Sequence, residues 1–325
     1  NDAGEYSSLF DHCRERIEDI KGRCLIEIDK EHLECQSYIA FSGEKEIERV
    51  NKIKAFIENV NGKYEESRAR IIPVIPPYLG YEYVVSNYRG HMRKKYQLVV
   101  GLNYDTVSPL TLDFASLGVL GVTGREKSGK HNFVKYIVQM LDDMYPGSTQ
   151  ICIVDSVHKK LASLKNDANV VAYTMAHDAA VDIICQIEKE LRGRYEQLIS
   201  GNDNLVAESP LIVFIVDNMD ALTAISEDQT AMTAYRNILS RYKNLNICII
   251  ASSFENVNVP YGAPEVIRSI KDLQHFMYFD DVANMKIFDF PLSVMRTFKK
   301  PIEMGDGYYI KENECVKVKT AKAVK

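Results

Sequence analysis

The sequence predicts an α/β fold with a mainly parallel central sheet flanked by helices, and three observations predict it. From Tyr96 onward, short apolar runs of strand length alternate with amphipathic helical patterns, the order that βαβ construction requires. One run, Leu211-Ile212-Val213-Phe214-Ile215-Val216-Asp217, is apolar without interruption until its last residue, as a strand covered on both faces has to be. Between a strand pattern and a helix pattern lies Gly124-Arg125-Glu126-Lys127-Ser128-Gly129-Lys130-His131, which fits G-x-x-x-x-G-K. Such a loop cradles phosphate: its glycines let backbone N–H groups converge on the anion, the next helix aims its N-terminus there, and the lysine reaches the outer phosphates.

The 325 residues suffice for one large or two modest domains with a real core. Charged residues at 26% and hydrophobic ones at 46% are ordinary for a globular protein, and a net charge of -5 gives no global reason to expect a polyanion-binding surface. Seven cysteines, an odd number without a C-x-x-C pair, argue for reduced thiols in a cytosolic compartment and against zinc. No apolar run has membrane-spanning length and no signal peptide is evident.

In chain order, residues 5–20 carry a charged helical pattern with Leu9, Cys13, Ile17 and Ile20 at near-helical spacing. Strand-like runs follow at Cys24–Ile28 and Cys35–Ala40. A helix is expected from Glu44 to Asn59, capped by Ser42 and ended by Asn61-Gly62, with Ile47, Val50, Ile53, Phe56 and Ile57 as its apolar stripe. Pro73, Pro76 and Pro77 exclude a helix and mark a linker or edge strand. The domain expectation is therefore residues 1–60, a linker and lead-in at 61–95, and the α/β module at 96–325.

Within that module, Gln97–Gly101 and Thr111–Phe114 lead to Gly118–Val122, the strand ahead of the loop. After Lys130, residues Phe133, Val134, Ile137, Val138 and Leu141 share a helical face closed by Tyr145-Pro146-Gly147. Ile151–Asp155 and Val170–Tyr173 read as strands. Ala179–Ser200 reads as a long helix with Ile183, Ile187, Leu191, Tyr195 and Leu198 on one side. A helix is expected between Glu227 and Tyr242, then strands at Ile247–Ala251 and Phe276–Phe279, then a hairpin around Asp306-Gly307. The stretch Gly22–Glu27 with Glu34-Cys35-Gln36 is faintly similar to Gly305–Ile310 with Glu314-Cys315-Val316, a hint of internal repetition.

Several site positions depart from what phosphate chemistry asks. His131 stands where a Ser or Thr hydroxyl would hold Mg²⁺; imidazole is a poor ligand for that oxygen-seeking ion, and the amide of Asn132 comes one residue late. Two strand-end carboxylates, Asp155 and Asp217, compete to face the metal, and spacing alone leaves both open. Asp220 supplies a general base only if its strand ends late.

Leu98–Leu102 with Leu112-Asp113, Glu190-Leu191-Arg192-Gly193-Arg194-Tyr195, Ile215-Val216-Asp217-Asn218 and Ile249-Ile250-Ala251-Ser252-Ser253 together resemble the FtsK/SpoIIIE family of hexameric motor ATPases, over roughly residues 97–318. More narrowly, the chain resembles the last, degenerate ATPase module of the EssC group of membrane-anchored type VII secretion motors. The resemblance implies a RecA-like P-loop NTPase fold, ATP as ligand, Asp217 as the metal-side carboxylate, and Gly124 to Asn132 as the nucleotide-binding loop.

It also implies that Asn218 replaces the water-activating glutamate and Ser253 the glutamine that senses the γ-phosphate. An amide accepts no proton, and general-base help is worth roughly 10²–10⁴-fold. With His131, Asn218 and Ser253 all changed, the expectation is an ATPase relative that binds ATP weakly or not at all, without settled catalytic or Mg²⁺-holding residues.

Its expected work is regulation of the motor and recognition of small helical secreted proteins through their C-terminal signals, at the cytoplasmic face of the membrane. Expected partners are neighbouring modules and five further copies in a hexamer, with no DNA. The alternative is an active Mg-ATP-driven translocase. Residues 1–60 become the tail of a preceding module, and Met and aromatic residues between Phe276 and Phe298 are candidates for a substrate groove. Arg192, Arg194, Arg241 and Arg296 are open between trans-acting and structural roles, and Lys311, Lys317, Lys319, Lys322 and Lys325 read as a solvated tail.

Overall fold

The computed structural model describes residues 9, 10, 13, 15–64, 72–202, 204–252, 254, 263–287, 292–298, 301–312 and 314–324. The chain divides into two compact units, residues 1–72 and residues 73–325.

The first unit holds a hairpin and a helix. Strands β1 (Arg23–Ile28) and β2 (Glu31–Gln36) pair antiparallel with Cys24 opposite Cys35. Asp29 and Lys30 make the turn at positive φ, 51° and 69°, the geometry that matches strand twist. Helix α1 (Glu46–Lys63) starts later than its pattern suggested. Lys45 is at its cap position without a side-chain bond, while the Ser42 carbonyl accepts Lys52 Nζ at 2.6 Å. Gly62 lies inside the last turn and does not end it. Its apolar stripe, Ile47, Val50, Ile53, Phe56 and Ile57, stays exposed. Residues 15–20 are not helical, correcting the expected charged helix there; a short helix without a packed face is marginal in water.

The second unit is built on ten strands: β3 (Gln97–Asn103), β4 (Pro109–Asp113), β5 (Gly118–Gly124), β6 (Thr149–Val154), β7 (Val170–Thr174), β8 (Leu211–Val216), β9 (Ile247–Ser252), β10 (His275–Phe279), β11 (Asp306–Lys311) and β12 (Glu314–Thr320). They lie in the order β4-β3-β12-β11-β10-β5-β9-β8-β6-β7. Strands from β10 to β7 in that order run parallel. From β10 outward through β11, β12, β3 and β4 every pairing is antiparallel. The sheet is therefore mixed, with a larger antiparallel share than the sequence suggested. The hairpin that closes it starts, rather than turns, at Asp306-Gly307.

Helices α2 (Tyr81–Tyr88) and α3 (Lys130–Met144) cover one face; α4 (Ala179–Ile199), α6 (Met219–Glu227), α7 (Gln229–Asn237) and α8 (Glu265–Leu273) cover the other, with α5 (Leu205–Glu208) and α9 (Leu292–Thr297) short. Strand alternation assigns the layers. Leu211, Val213 and Ile215 face the α3 side; Ile212, Phe214 and Val216 face the α4 side. Each fully buried side chain of this kind contributes about 1.5–3 kcal/mol. That exceeds the roughly 1 kcal/mol span of β propensity, so two-sided burial is what holds β8 at the centre.

Four details differ from the sequence reading. The buried face of α4 is Ala180, Ile184, Ile187, Leu191 and Arg194, rotated by about one residue, which leaves Tyr195 at the rim against Tyr242. The helix expected from Glu227 to Tyr242 is present as α7 and a wider helical turn at Ile238–Tyr242, and it starts at Asp228, whose side chain accepts from Ala231 N–H at 2.8 Å; the helix the sequence reading lacked is α6 before it. The segment 73–95 belongs to the compact unit, with Leu79 and Val84 buried beside α3. The described tail is stitched in: Ala321 N–H donates to Val100 O and Lys322 N–H to Leu79 O, while Lys317 pairs with Asp306. Lys325 lies outside the described residues. All seven cysteines are free thiols, and burial pushes Cys248 up and Cys315 up to about 12.

The two hairpins are built alike. Each opens on a glycine at positive φ, Gly22 at 81° and Gly305 at 87°. The carbonyl of Gly22 accepts the N–H and hydroxyl of Ser37 at 2.8 and 2.9 Å, and that of Gly305 accepts the N–H and hydroxyl of Thr320 at 3.0 and 2.5 Å. At matching positions Arg23 pairs with Glu34 at 3.2 Å, and Asp306 with Lys317 at 3.5 Å, the charges exchanged. The geometry thus aligns Glu31 with Glu314; the textual match of Glu34-Cys35 to Glu314-Cys315 is out of register by three.

Candidate functional site

The parallel strands place the loop, and glycine geometry closes it. Gly124, the last residue of β5, has φ 141°, and a Cβ there would lie 2.4 Å from Phe279 O. Gly129 has φ 117° and caps α3, leaving Lys130 as the first helical residue. The loop is braced from below: Ser128 Oγ donates to Arg125 O at 2.8 Å, Gly305 N–H to Ser128 O at 3.1 Å, and Arg125 Nη2 to Ile302 O at 3.3 Å.

A cleft of about 550 Å³ opens over this loop, a ligand-sized space. Gly124, Glu126, Lys127, Lys130, His131, Asp217 and Asn218 all line it. Lys130 Nζ donates to Gly124 O at 2.5 Å, and burial, opposed chiefly by Asp217, holds its ammonium below its ordinary pKa. Arg125 and Ser128 brace the loop, Gly129 shapes it, and Asn132 turns away. The Asn132 amide donates to Ala321 O at 3.4 Å and accepts from Ala323 N–H at 3.3 Å.

The two competing aspartates differ in their surroundings. Both are fully buried at adjacent strand ends. Asp155 accepts from Tyr173 OH at 2.6 Å, Ser156 N–H at 2.8 Å and Leu161 N–H at 3.0 Å, and it does not line the cleft. Asp217 meets the loop instead. Its Oδ2 lies 3.1 Å from His131 Nε2, and its Oδ1 accepts from Ser252 Oγ at 2.5 Å.

Asn218 is a helix cap. Its Oδ1 accepts from Asp220 N–H at 2.9 Å and Ala221 N–H at 3.2 Å, and its amide donates to Asp155 O at 3.3 Å. Asparagine is among the best residues for that post, and its amide offers no proton acceptor at this position. Strand β8 ends at Val216, so Asp220 falls in the first turn of α6, exposed at the rim of the cleft. Ser253 lies outside the described residues.

Sequence reasoning missed the far wall: Ser156, Val157, His158 and Lys160 after β6, with Met219 and Phe254. The signal for it was present. In a parallel sheet the residues that follow neighbouring strands gather at one edge, so whatever follows Asp155 faces whatever follows Asp217.

Two of the candidate arginines and the aromatic residues of β10 are engaged in packing or ion pairs. Arg194 is buried, giving Nη1 to Pro210 O and Leu245 O at 2.9 and 3.0 Å and Nη2 to Glu190. Arg192 pairs with Glu188. Phe276, Met277, Tyr278 and Phe279 are core residues of β10, and Phe298 packs on Tyr308 at 5.1 Å between ring centroids. Phe288 and Phe290 lie outside the described residues. No described helix is long and apolar enough to cross a membrane.

No protein-family model matches the chain. It is 24% identical over 325 residues to the ESX secretion system protein EccC of Geobacillus thermodenitrificans (strain NG80-2), across 99% of this chain and 21% of that protein. The chain thus spans about a fifth of the length of that relative. Among solved structures it is similar to EssC (ATPases 2 and 3) from Geobacillus thermodenitrificans, with a TM-score of 0.68 and 22% identity over 99% of this chain and 59% of that one. It is also similar to Thermomonospora curvata EccC (ATPases 2 and 3) in complex with a signal sequence peptide, with a TM-score of 0.58 and 16% identity over 94% of this chain and 54% of that one.

Proposed function

From its homology with the EssC/EccC ATPase modules of type VII secretion, we propose that this chain carries the C-terminal module of a secretion motor. In this reading the module has given up ATP hydrolysis and serves regulation and the recognition of secreted proteins. The observation that carries the proposal is the state of Asp217. A histidine from the loop and a serine from β9 engage its two oxygens, and the next residue spends its side chain as a helix cap. The phosphate-binding half of the site is intact, with Lys130 and Lys127 at the cleft, so the module keeps a nucleotide site of low affinity. The same intact lysine and aspartate are what would favour the alternative, an active Mg-ATP-driven translocase.

The kinship of the hairpins supports reading residues 1–60 as the tail of a preceding module, with the lead-in at 73–95 packed onto the module that follows. In the second unit, Gly305 N–H reaches the phosphate loop through Ser128 O. By the same design, Gly22 would reach the loop of the module before. Neighbouring modules, a hexameric ring, a membrane anchor elsewhere in the motor and the absence of DNA from its work belong to this proposal.

The signal peptide on the Thermomonospora protein supports a similar ligand here: the C-terminal signal of a small helical secreted protein. Fluorescence anisotropy with such a labelled tail peptide tests it. Saturable binding, unchanged by ATP and by Lys130→Ala, is the expected result. No binding at any protein concentration would refute substrate recognition by this chain.

A further inference from the structure

We propose that the cleft takes a nucleoside triphosphate as the free anion, without a divalent cation, and that His131 is the group that closes the cation position. This rests on the reading of the cleft as a phosphate site. In a phosphate loop of this type the hydroxyl after the lysine and the strand-end aspartate together hold Mg²⁺, an ion that demands oxygen ligands near octahedral geometry.

The hydroxyl half of that pair is missing here, and protein donors engage both oxygens of the aspartate half. His131 offers no oxygen. Its Nε2 lies 3.1 Å from Asp217 Oδ2, and in the tautomer that donates to the carboxylate it presents a proton, not a lone pair, to the cation position. The other Asp217 oxygen receives the Ser252 hydroxyl. The next oxygen along the helix, the Asn132 amide, is bonded to the backbone of Ala323. Mg²⁺ therefore does not fit this site.

The anion does fit. Lys127, Lys130 and Lys160 line the cleft, and α3, fifteen residues long, points its N-terminus into it from Gly129. The polyphosphate charge that a metal would otherwise share falls to these ammonium groups and backbone N–H groups. Discrimination then rests on charge and shape, so the triphosphate and diphosphate differ less here than in a metal-bearing site.

Calorimetric titration of the purified chain with ATP, once in excess Mg²⁺ and once in EDTA, tests the proposal. The expected affinities agree within about twofold, while His131→Ser, which restores the hydroxyl and frees Asp217, prefers Mg-ATP by about tenfold. A wild-type preference for Mg-ATP of about tenfold or more would overturn the proposal. So would the absence of ATP binding in both buffers, or a His131→Ser variant indifferent to the metal. A metal preference without turnover would overturn this inference alone; turnover would overturn the reading of the site beneath it.

Discussion

Asp155 and Asp217 end neighbouring parallel strands, β6 and β8, each wholly buried, yet they do opposite things. Asp155 is locked by a tyrosine hydroxyl and two backbone N–H groups that belong to its own loop and to β7. Asp217 is held by side chains from two other elements, the loop helix and β9, and faces the cleft. Two carboxylates at one sheet edge thus differ in what they face. Asp155 is turned toward its own loop and the neighbouring edge strand, Asp217 toward the phosphate-type loop and the cleft.

Variants at the two positions sharpen that contrast. Asp155→Asn places an amide against donors and should cost the most stability, about 2–4 kcal/mol by urea denaturation, because buried donors lose a charged acceptor. Lys130→Ala should leave stability unchanged but remove about 1.5–3 kcal/mol of ATP binding, the typical worth of hydrogen bonds to a charged group. Asn218→Ala removes the cap of α6 and should cost about 1 kcal/mol more than Asn218→Ser, which loses the same amide bond to Asp155 O but keeps a capping oxygen. Equal losses in the two Asn218 variants would break the capping account.

Asp217→Asn should cost less than about 1 kcal/mol, because its new amide can donate to the other tautomer of His131 while Ser252 keeps an acceptor. A loss as large as that of Asp155→Asn would erase the distinction between the two aspartates. Asp217 also raises the pKa of Lys130 against the lowering by burial. Neutralising it should move the loss of ATP binding to lower pH, since the ammonium then deprotonates earlier. Asp155→Asn should not shift that profile.

What the sequence revealed follows the same division. The loop was legible because G-x-x-x-x-G-K is contiguous and its strand and helix adjoin it. Strand β8 was legible because burial on both faces writes an uninterrupted apolar run. The choice between Asp155 and Asp217 was not, since it depends on strand order, a pairing among segments far apart in the chain. The antiparallel half was understated for the same reason: β12 pairs with β3 across most of the module.

Asn132 has the right type beside the right lysine, and only the path of residues 321–323 shows it spent on the tail. Asn218 was expected, from the resemblance alone, as an amide in a glutamate's place. Its service as a cap became visible only with the turn from β8 into α6.

The central claim is a phosphate site without hydrolysis, and steady-state ATP turnover by the purified chain in excess Mg²⁺ tests it most directly. The account predicts phosphate release no faster than that of the Lys130→Ala variant. Turnover clearly above that background, abolished by Lys130→Ala, would contradict it.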